Sequence, residues 1–207
     1  MITKEDFNRV LEALGEQGGE DVRWSEGLAF PANSRDFAIE AIWVICNSGM
    51  RYTVARLVMD RVLGAIRDGR PVKDAFGHLG KAAAMQEIWD RREEFYSGLQ
   101  KAFGRYCVTE RPEEVLDYLE TLPWIGKITK YHLAKDCGLD CAKPDVHLER
   151  LARMEGVDVQ SMCARLARET GYRIPTVDVV LWRACALGVV DSRTGRINLP
   201  DPSPQAT

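Results

Sequence analysis

Hydrophobic residues recur along this chain mostly at the three- and four-residue spacing of helices, not at the alternate spacing of strands. After Ser34, a candidate N-cap, the apolar stripe runs through Phe37, Ile42 and Ile45. Strand-like alternation is weak and confined to 189–199, a candidate hairpin. The pattern predicts an all-α protein with helices at about 4–15, 34–47, 52–68, 73–78, 80–98, 112–121, 127–137, 146–155, 158–169 and 176–187.

The order of these helices predicts two lobes. Residues 34–138 are expected to form a six-helix domain that ends in a helix-hairpin-helix element. Residues 1–33 and 139–198 are expected to form a second helical lobe, with a cleft between the two. The tail, 199–207, is rich in Pro and Ser and is predicted to be disordered.

The composition of the chain is consistent with an all-α, two-lobed protein. The chain is 45% hydrophobic and 29% charged, and it has no apolar run long enough to span a membrane or to act as a secretion signal. A cytoplasmic protein without a membrane partner is therefore expected. The net charge of −3 argues against a purely electrostatic nucleic-acid binder, but six Lys and Arg residues fall between 127 and 153. A solvated helix surface would explain any single one of them equally well.

The six cysteines show no spacing typical of a metal site. They stand at 46, 107, 137, 141, 163 and 185, without a C-x-x-C pair. Cys46, Cys163 and Cys185 lie among apolar residues and are interpreted as reduced core thiols. We expect neither disulfides nor an iron–sulfur cluster.

The segment 112–150 carries the most specific pattern. An apolar helical stripe ends at Leu122, and Pro123 and Gly126 then predict a turn before a second helix. The N-terminus of a helix presents unpaired N–H groups and a positive dipole end, which favour an anion. Lys127 and Lys130 beside this turn point to phosphate.

A single aspartate, Asp145, stands just ahead of the next predicted helix in the phrase Lys143-Pro144-Asp145-Val146-His147. One interpretation is an N-cap, in which the carboxylate accepts the first-turn amides of that helix. The other is a catalytic carboxylate that stabilises positive charge on a sugar. The two are compatible, because an N-capping aspartate can keep one oxygen free.

These phrases resemble the helix-hairpin-helix DNA glycosylases of the endonuclease III type. Residues 122–129, Leu-Pro-Trp-Ile-Gly-Lys-Ile-Thr, are similar to the family's hairpin, and 143–147 to its catalytic aspartate phrase. More weakly, 39–62 resembles the buried helix, the DNA-facing loop and the helix that follows, and 181–188 resembles the closing helix. The resemblance covers about 34–190 and implies an all-α, two-lobed fold that binds double-stranded DNA as a monomer.

The resemblance also implies roles for individual residues. Asp145 is expected to be catalytic, and Trp43, Glu40 and Trp182 are candidates for the base pocket. A monovalent cation is expected at the backbone carbonyls of Glu120, Leu122 and Ile125, which leave no side-chain signature. The residues expected to contact DNA are Trp124, Ile125, Gly126, Lys127, Thr129, Lys130, Asn47, Ser48 and Met50.

The sequence departs from the family's pattern at three places. Trp124 replaces the first hairpin glycine, so the backbone there is expected to suit a residue with a Cβ. Its ring is expected either to pack against a DNA sugar or to cover the lobe, with packing favoured. Ile128 occupies the position of the Schiff-base lysine, which predicts a monofunctional enzyme. Where the family usually inserts a glutamine into the base stack, this chain offers Asn47, Ser48 or Met50.

The resulting hypothesis is a monofunctional base-excision glycosylase that flips a damaged or mispaired base out of duplex DNA and hydrolyses its N-glycosidic bond. The resemblance thus implies a DNA-repair hydrolase of the bacterial or phage nucleoid. A non-catalytic DNA-binding module and a bifunctional glycosylase-lyase using Lys127 or Lys130 remain as alternatives. The sequence leaves open which base is removed.

Overall fold

A computed structural model describes residues 1–198, and within that range the protein is all-helical. The all-α prediction is therefore confirmed. The predicted disordered tail, 199–207, lies outside the described residues. The elements are α1 Lys4–Glu26, α2 Ser34–Asn47, α3 Tyr52–Arg67, a 3-10 turn Val72–Asp74, α4 Leu79–Asp90, α5 Arg92–Thr109, α6 Glu113–Glu120, α7 Thr129–Asp136, α8 Val146–Glu155, α9 Val159–Thr170 and α10 Ile174–Ala186.

Helix α1 is longer than the sequence predicts. The predicted helix ends at residue 15, where Gly15 has non-helical backbone angles (φ 56°, ψ −132°) and forms a kink, and the helical segment from there to Glu26 was not predicted. The second half of α1 packs alongside α10. There the carboxylate of Asp21 accepts two hydrogen bonds from the Arg183 guanidinium, at 2.8 and 3.0 Å.

Two predictions between residues 73 and 109 are also wrong. The helix predicted at 80–98 is two helices that meet at Arg91, where the backbone leaves helical geometry (φ −103°, ψ 20°), and α5 continues to Thr109. The helix predicted at 73–78 is only the 3-10 turn Val72–Asp74. At 189–199, the candidate hairpin forms a single bridge between Val190 and Ile197.

The described residues separate into two compact units, one of residues 29–139 and one of 1–28 with 140–198. We call them the central unit and the terminal unit. In the central unit, α2 packs against α3, α4, α5 and α7. Burial of each large apolar side chain contributes about 1.5–3 kcal/mol. The fully buried side chains here are Phe37, Ile42, Ile45, Met85, Ile88, Leu99, Leu119, Leu133 and Leu139.

The terminal unit brings α1 together with α8, α9 and α10. The hydroxyl of Ser25 donates to the hydroxyl of Thr176 on α10 at 2.9 Å, inside the buried interface of these two helices. The core of the unit is formed by residues including Phe7, Val10, Leu148, Leu151, Met162, Leu166, Val177, Val180 and Leu181. Among the described residues, no helix has the length and apolar character needed to cross a membrane.

Candidate functional site

The turn between α6 and α7, residues 121–128, forms a closed hairpin. The hydroxyl oxygen of Thr129 accepts the backbone N–H of Gly126 at 2.8 Å, and the N–H of Lys130 donates to the Gly126 carbonyl at 2.9 Å. The N–H of Ile125 donates to the Leu122 carbonyl at 3.1 Å, and both of these side chains are buried. The hairpin is thus held by its own backbone and anchored by two apolar residues.

Three consecutive N–H groups at the start of α7 remain available. Within residues 1–198, no acceptor lies in hydrogen-bonding range of the N–H of Lys127, Ile128 or Thr129. They stand at the positive end of the α7 dipole, and the Lys127 side chain beside them is exposed and makes no ion pair with the described residues. This arrangement can bind an oxyanion such as phosphate.

Lys130 differs from Lys127. Its ammonium lies 2.5 Å from a carboxylate oxygen of Glu120 and 3.8 Å from Asp117, and it is largely buried. The hydrogen bond to Glu120 raises the pKa of Lys130 above its ordinary value. Lys130 therefore neutralises the end of α6, and contact with DNA would require this ion pair to open.

The backbone at Trp124 does not match the expectation from sequence. Trp124 has φ 65°, the left-handed region that glycine adopts at little cost and other residues rarely adopt. Its indole ring meets the ring of His78 edge to face, with centroids 5.4 Å apart. The expectation that the backbone suits a Cβ is wrong. The ring contacts His78, 47% of the residue stays exposed, and packing of the ring against DNA stays a prediction.

The predicted cation site consists of backbone carbonyls. The Leu122 carbonyl already accepts the Ile125 N–H, and a second lone pair on this oxygen remains for a cation. Among the described residues, no cluster of three His, Cys, Asp or Glu side chains offers an alternative metal site. A monovalent cation at Glu120, Leu122 and Ile125 stays a prediction.

Loop 47–50, predicted to enter the base stack, is short and is held by hydrogen bonds to its own backbone and to the end of α2. The Ser48 hydroxyl donates to the Ile45 carbonyl at 3.0 Å, and the N–H of Met50 donates to the Asn47 carbonyl at 3.3 Å. Gly49 provides the positive φ of 67° that the turn needs. The side chains of Asn47, Ser48 and Met50 are half-buried.

One face of α2 leads to this loop. Glu40, Trp43 and Asn47 fall at helical spacings of three and four residues, and all three are half-buried. Burial, followed by the nearby charge of Asp36, raises the pKa of Glu40. The Trp43 ring meets Tyr52 edge to face at 5.8 Å. A carboxyl group with a raised pKa and an aromatic ring therefore share this face.

Asp145 is the N-cap of α8. Its Oδ1 accepts the N–H groups of His147 at 2.9 Å and Leu148 at 3.1 Å. Its Oδ2 accepts no hydrogen bond from the described residues, and the residue is half-buried. The N-cap interpretation is confirmed in the form that leaves one carboxylate oxygen unengaged.

Neighbouring interactions fix the segment that carries Asp145. The Asp178 carboxylate accepts the N–H of Lys143 at 2.8 Å, and the His147 ring nitrogen Nδ1 lies 2.9 Å from the Ser192 hydroxyl. Burial, and to a smaller extent the negative charge of Asp145, raises the pKa of Cys185 to about 12. The carboxylate thus sits on a braced segment close to a buried thiol.

Trp182, on α10, packs against the terminal-unit core, and the Arg183 guanidinium lies 5.1 Å from its ring. Asp178 and Lys81, which support the Asp145 segment and loop 47–50 respectively, were not identified from sequence. Asp178 carries no signal beyond a polar residue in an apolar helix, and Lys81 stands in a run of small apolar residues, Lys81-Ala-Ala-Ala-Met85.

Comparison of the chain with protein-family models, curated proteins and solved structures gave no match. The hairpin of the central unit and Asp145 of the terminal unit are therefore the observations that bear most directly on function.

Proposed function

We propose that this protein is a monofunctional DNA glycosylase with the helix-hairpin-helix, two-lobed architecture of the endonuclease III type. It would act in the cytoplasm, as a monomer without a redox cofactor, on a damaged or mispaired base in duplex DNA. The observation that carries the proposal is Asp145, whose Oδ1 caps α8 while Oδ2 accepts no bond from the described residues. In this arrangement the carboxylate can cap α8 and still present one oxygen to a substrate.

The hairpin supports DNA as the substrate. The N–H groups of Lys127, Ile128 and Thr129 bond no acceptor within residues 1–198, and together with the exposed Lys127 ammonium they suit one backbone phosphate. Such contacts carry no sequence information, and they hold a strand in place. This is the role expected of a hairpin in an enzyme that selects a damaged base by other means.

Hydrolysis of an N-glycosidic bond passes through a sugar with oxocarbenium character. As the bond from C1′ to the base nitrogen breaks, its electron pair leaves with the base, and water attacks C1′. A carboxylate about 4 Å from the developing cation gains about 4 kcal/mol at an effective dielectric near 20, or about three decades of rate. In the proposal, Asp145 provides this charge and accepts the proton of the attacking water.

Glu40 and Trp43 are proposed to serve the extruded base. Burial, followed by the charge of Asp36, raises the pKa of Glu40, the direction expected of a proton donor to the departing base nitrogen. Trp43, on the same face of α2, offers a ring for stacking. Trp182 is the weaker candidate because it packs on the terminal-unit core.

The bifunctional alternative needs a neutral lysine amine that attacks C1′. Lys130 is unsuited to this, since Glu120 raises its pKa and holds its ammonium. Lys127 has no such partner among the described residues, so borohydride trapping on damaged and abasic DNA separates the two mechanisms. We expect no covalent adduct, and an adduct lost in Lys127→Gln would show a lyase.

A panel of duplexes, each with one modified or mispaired base and assayed with and without hot alkali, tests the proposal. We expect one class of base to give strand breaks only after alkali. Asp145→Asn should lower excision about 1,000-fold while keeping DNA binding, because Asn still caps α8. Asp158→Asn is the matched control, since Asp158 caps α9 and both of its carboxylate oxygens accept hydrogen bonds from Ser161.

If Asp145→Asn excises the base at the wild-type rate, the catalytic assignment is wrong. If the wild-type protein binds duplex DNA but releases no base from any member of the panel, the non-catalytic binding module is the better description.

A further inference from the structure

The first residues of α4 contact the hairpin. Gly80 lies so close to Trp124 that a Cβ at this position would be 2.8 Å from ring atom Cζ3 of the indole. The His78 ring meets the same indole, and its Nδ1 accepts the N–H of Lys81 at 3.3 Å to cap α4. Segment 78–81 is therefore fixed to the hairpin through the Trp124 ring.

The same segment also contacts loop 47–50. Lys81 is only 6% exposed, and its ammonium donates a short hydrogen bond to the backbone carbonyl of Ser48. Burial lowers the pKa of Lys81, which reflects the cost of keeping a cation away from water. A buried ammonium that is tied to a loop carbonyl fixes the position of that loop.

From these contacts we infer that segment 78–81 is a strut that holds loop 47–50 at a set position relative to the hairpin. Trp124 forms one end of the strut and Lys81 the other. The functional part of this inference rests on the proposed function. When the hairpin holds a phosphate, the strut positions Asn47, Ser48 and Met50 for the gap left by an extruded base. Lys81 is a positioning residue and does not contact DNA.

The strain at Trp124 supports this assignment. A tryptophan in the left-handed region is strained relative to a residue in an ordinary backbone conformation. Glycine would remove that cost, but it would also remove the ring that reaches His78 and Gly80. We therefore infer that the strained Trp124 is present because its ring contacts α4.

Hydrogen–deuterium exchange tests the strut without DNA. In Lys81→Met we expect exchange of the amides in 48–51 to rise about tenfold, the effect of losing one buried hydrogen bond, while the other helices of the central unit keep their rates. Gly80→Ala, which displaces the Trp124 ring, should raise exchange in the hairpin and in 48–51. Lys101→Met, at an exposed lysine of the same unit, is the matched control.

A second readout uses DNA. The probe is a duplex with a tetrahydrofuran abasic analogue flanked by 2-aminopurine, whose fluorescence reports whether a side chain fills the gap. Lys81→Met should lower the fluorescence response at saturating protein at least fivefold. It should change the dissociation constant for undamaged duplex less than about twofold, because the hairpin N–H groups are intact.

Several outcomes overturn the inference. One is an unchanged exchange rate in 48–51, and another is a uniform rise across the central unit, which would show general destabilisation. A loss of undamaged-duplex binding equal to the loss of the fluorescence response would also contradict it. If Lys81→Met does not fold, Gly80→Ala carries the test. If the wild-type protein binds no DNA, the proposed function fails, and the exchange experiment still decides whether the strut exists.

Discussion

The hydroxyl oxygen of Thr129 accepts the backbone N–H of Gly126 at 2.8 Å, so the first residue of α7 closes the turn that precedes it. This bond removes Gly126 from the set of free N–H groups and orients the three that follow. The side chain of Thr129 therefore shapes the anion site without occupying it.

Thr129→Val tests this relationship. Valine keeps the shape of threonine but cannot accept the Gly126 N–H, so we expect a loss of about 1 kcal/mol in the free energy of unfolding. We also expect three- to tenfold weaker binding of undamaged duplex, measured by fluorescence anisotropy. Thr129→Ser keeps the hydroxyl and is the matched control. Wild-type binding by the valine variant would show that the turn does not depend on this bond.

Substitutions of the two hairpin lysines, Lys127 and Lys130, should change the salt dependence of DNA binding differently. Lys127→Gln removes an exposed cation, so the slope of log K against log salt should fall in magnitude by about one phosphate contact. Lys130→Gln should leave the slope unchanged and lower the free energy of unfolding by less than about 1 kcal/mol, since it breaks the ion pairs with Glu120 and Asp117 and no phosphate contact. The opposite ranking would place Lys130 on the DNA.

Glu40 should control the pH dependence of excision. A proton donor is active below its pKa, so the wild-type rate should fall as pH rises through the raised pKa of Glu40. Glu40→Gln should lower the maximal rate about 100-fold and remove this limb of the profile. Asp36→Asn, which removes a charge that raises the pKa of Glu40, should move the limb to lower pH. An unchanged profile in Glu40→Gln would assign the donor elsewhere.

Two buried thiols should make the protein less stable in alkali. Burial raises the pKa of Cys46 to about 11 and that of Cys185 to about 12. The unfolded chain releases these protons near pH 8.5 while the folded protein keeps them, so the free energy of unfolding falls as pH rises above that value. We expect a loss of about 2 kcal/mol per thiol by pH 10.

Urea unfolding at pH 8 and pH 10 measures this loss. Cys46→Ala and Cys185→Ala should each reduce the difference between the two pH values, and Cys107→Ala, at an exposed thiol, is the control. A wild-type pH dependence in both buried-site variants would contradict the assignment.

The hydrophobic pattern predicted most helices well because each helix shows a stripe and a boundary residue in its own sequence. Asp145 ahead of α8 is an example, since capping is a local property. The continuation of α1 past Gly15 was missed because it depends on contacts with α10, more than 150 residues away. The break at Arg91 lies within a run of helix-forming residues and has no local signal.

The candidate site was predictable to a lesser degree. The hairpin and Asp145 were found because their residues form short, specific phrases. The left-handed backbone of Trp124 and the burial of Lys81 depend on packing between α4, the hairpin and loop 47–50, which no local pattern encodes. The engagement of Lys130 by Glu120 depends on the angle at which α6 meets α7.

The terminal unit is assembled from both sides of the central one in sequence, with α1 joined to α10 through Asp21 and Arg183 and through Ser25 and Thr176. During synthesis on a ribosome, residues 29–139 emerge as one uninterrupted stretch and are able to fold first. Until α10 is released, α1 is left with an apolar face exposed to water. We therefore expect nascent chains stalled before residue 174 to recruit chaperones through α1.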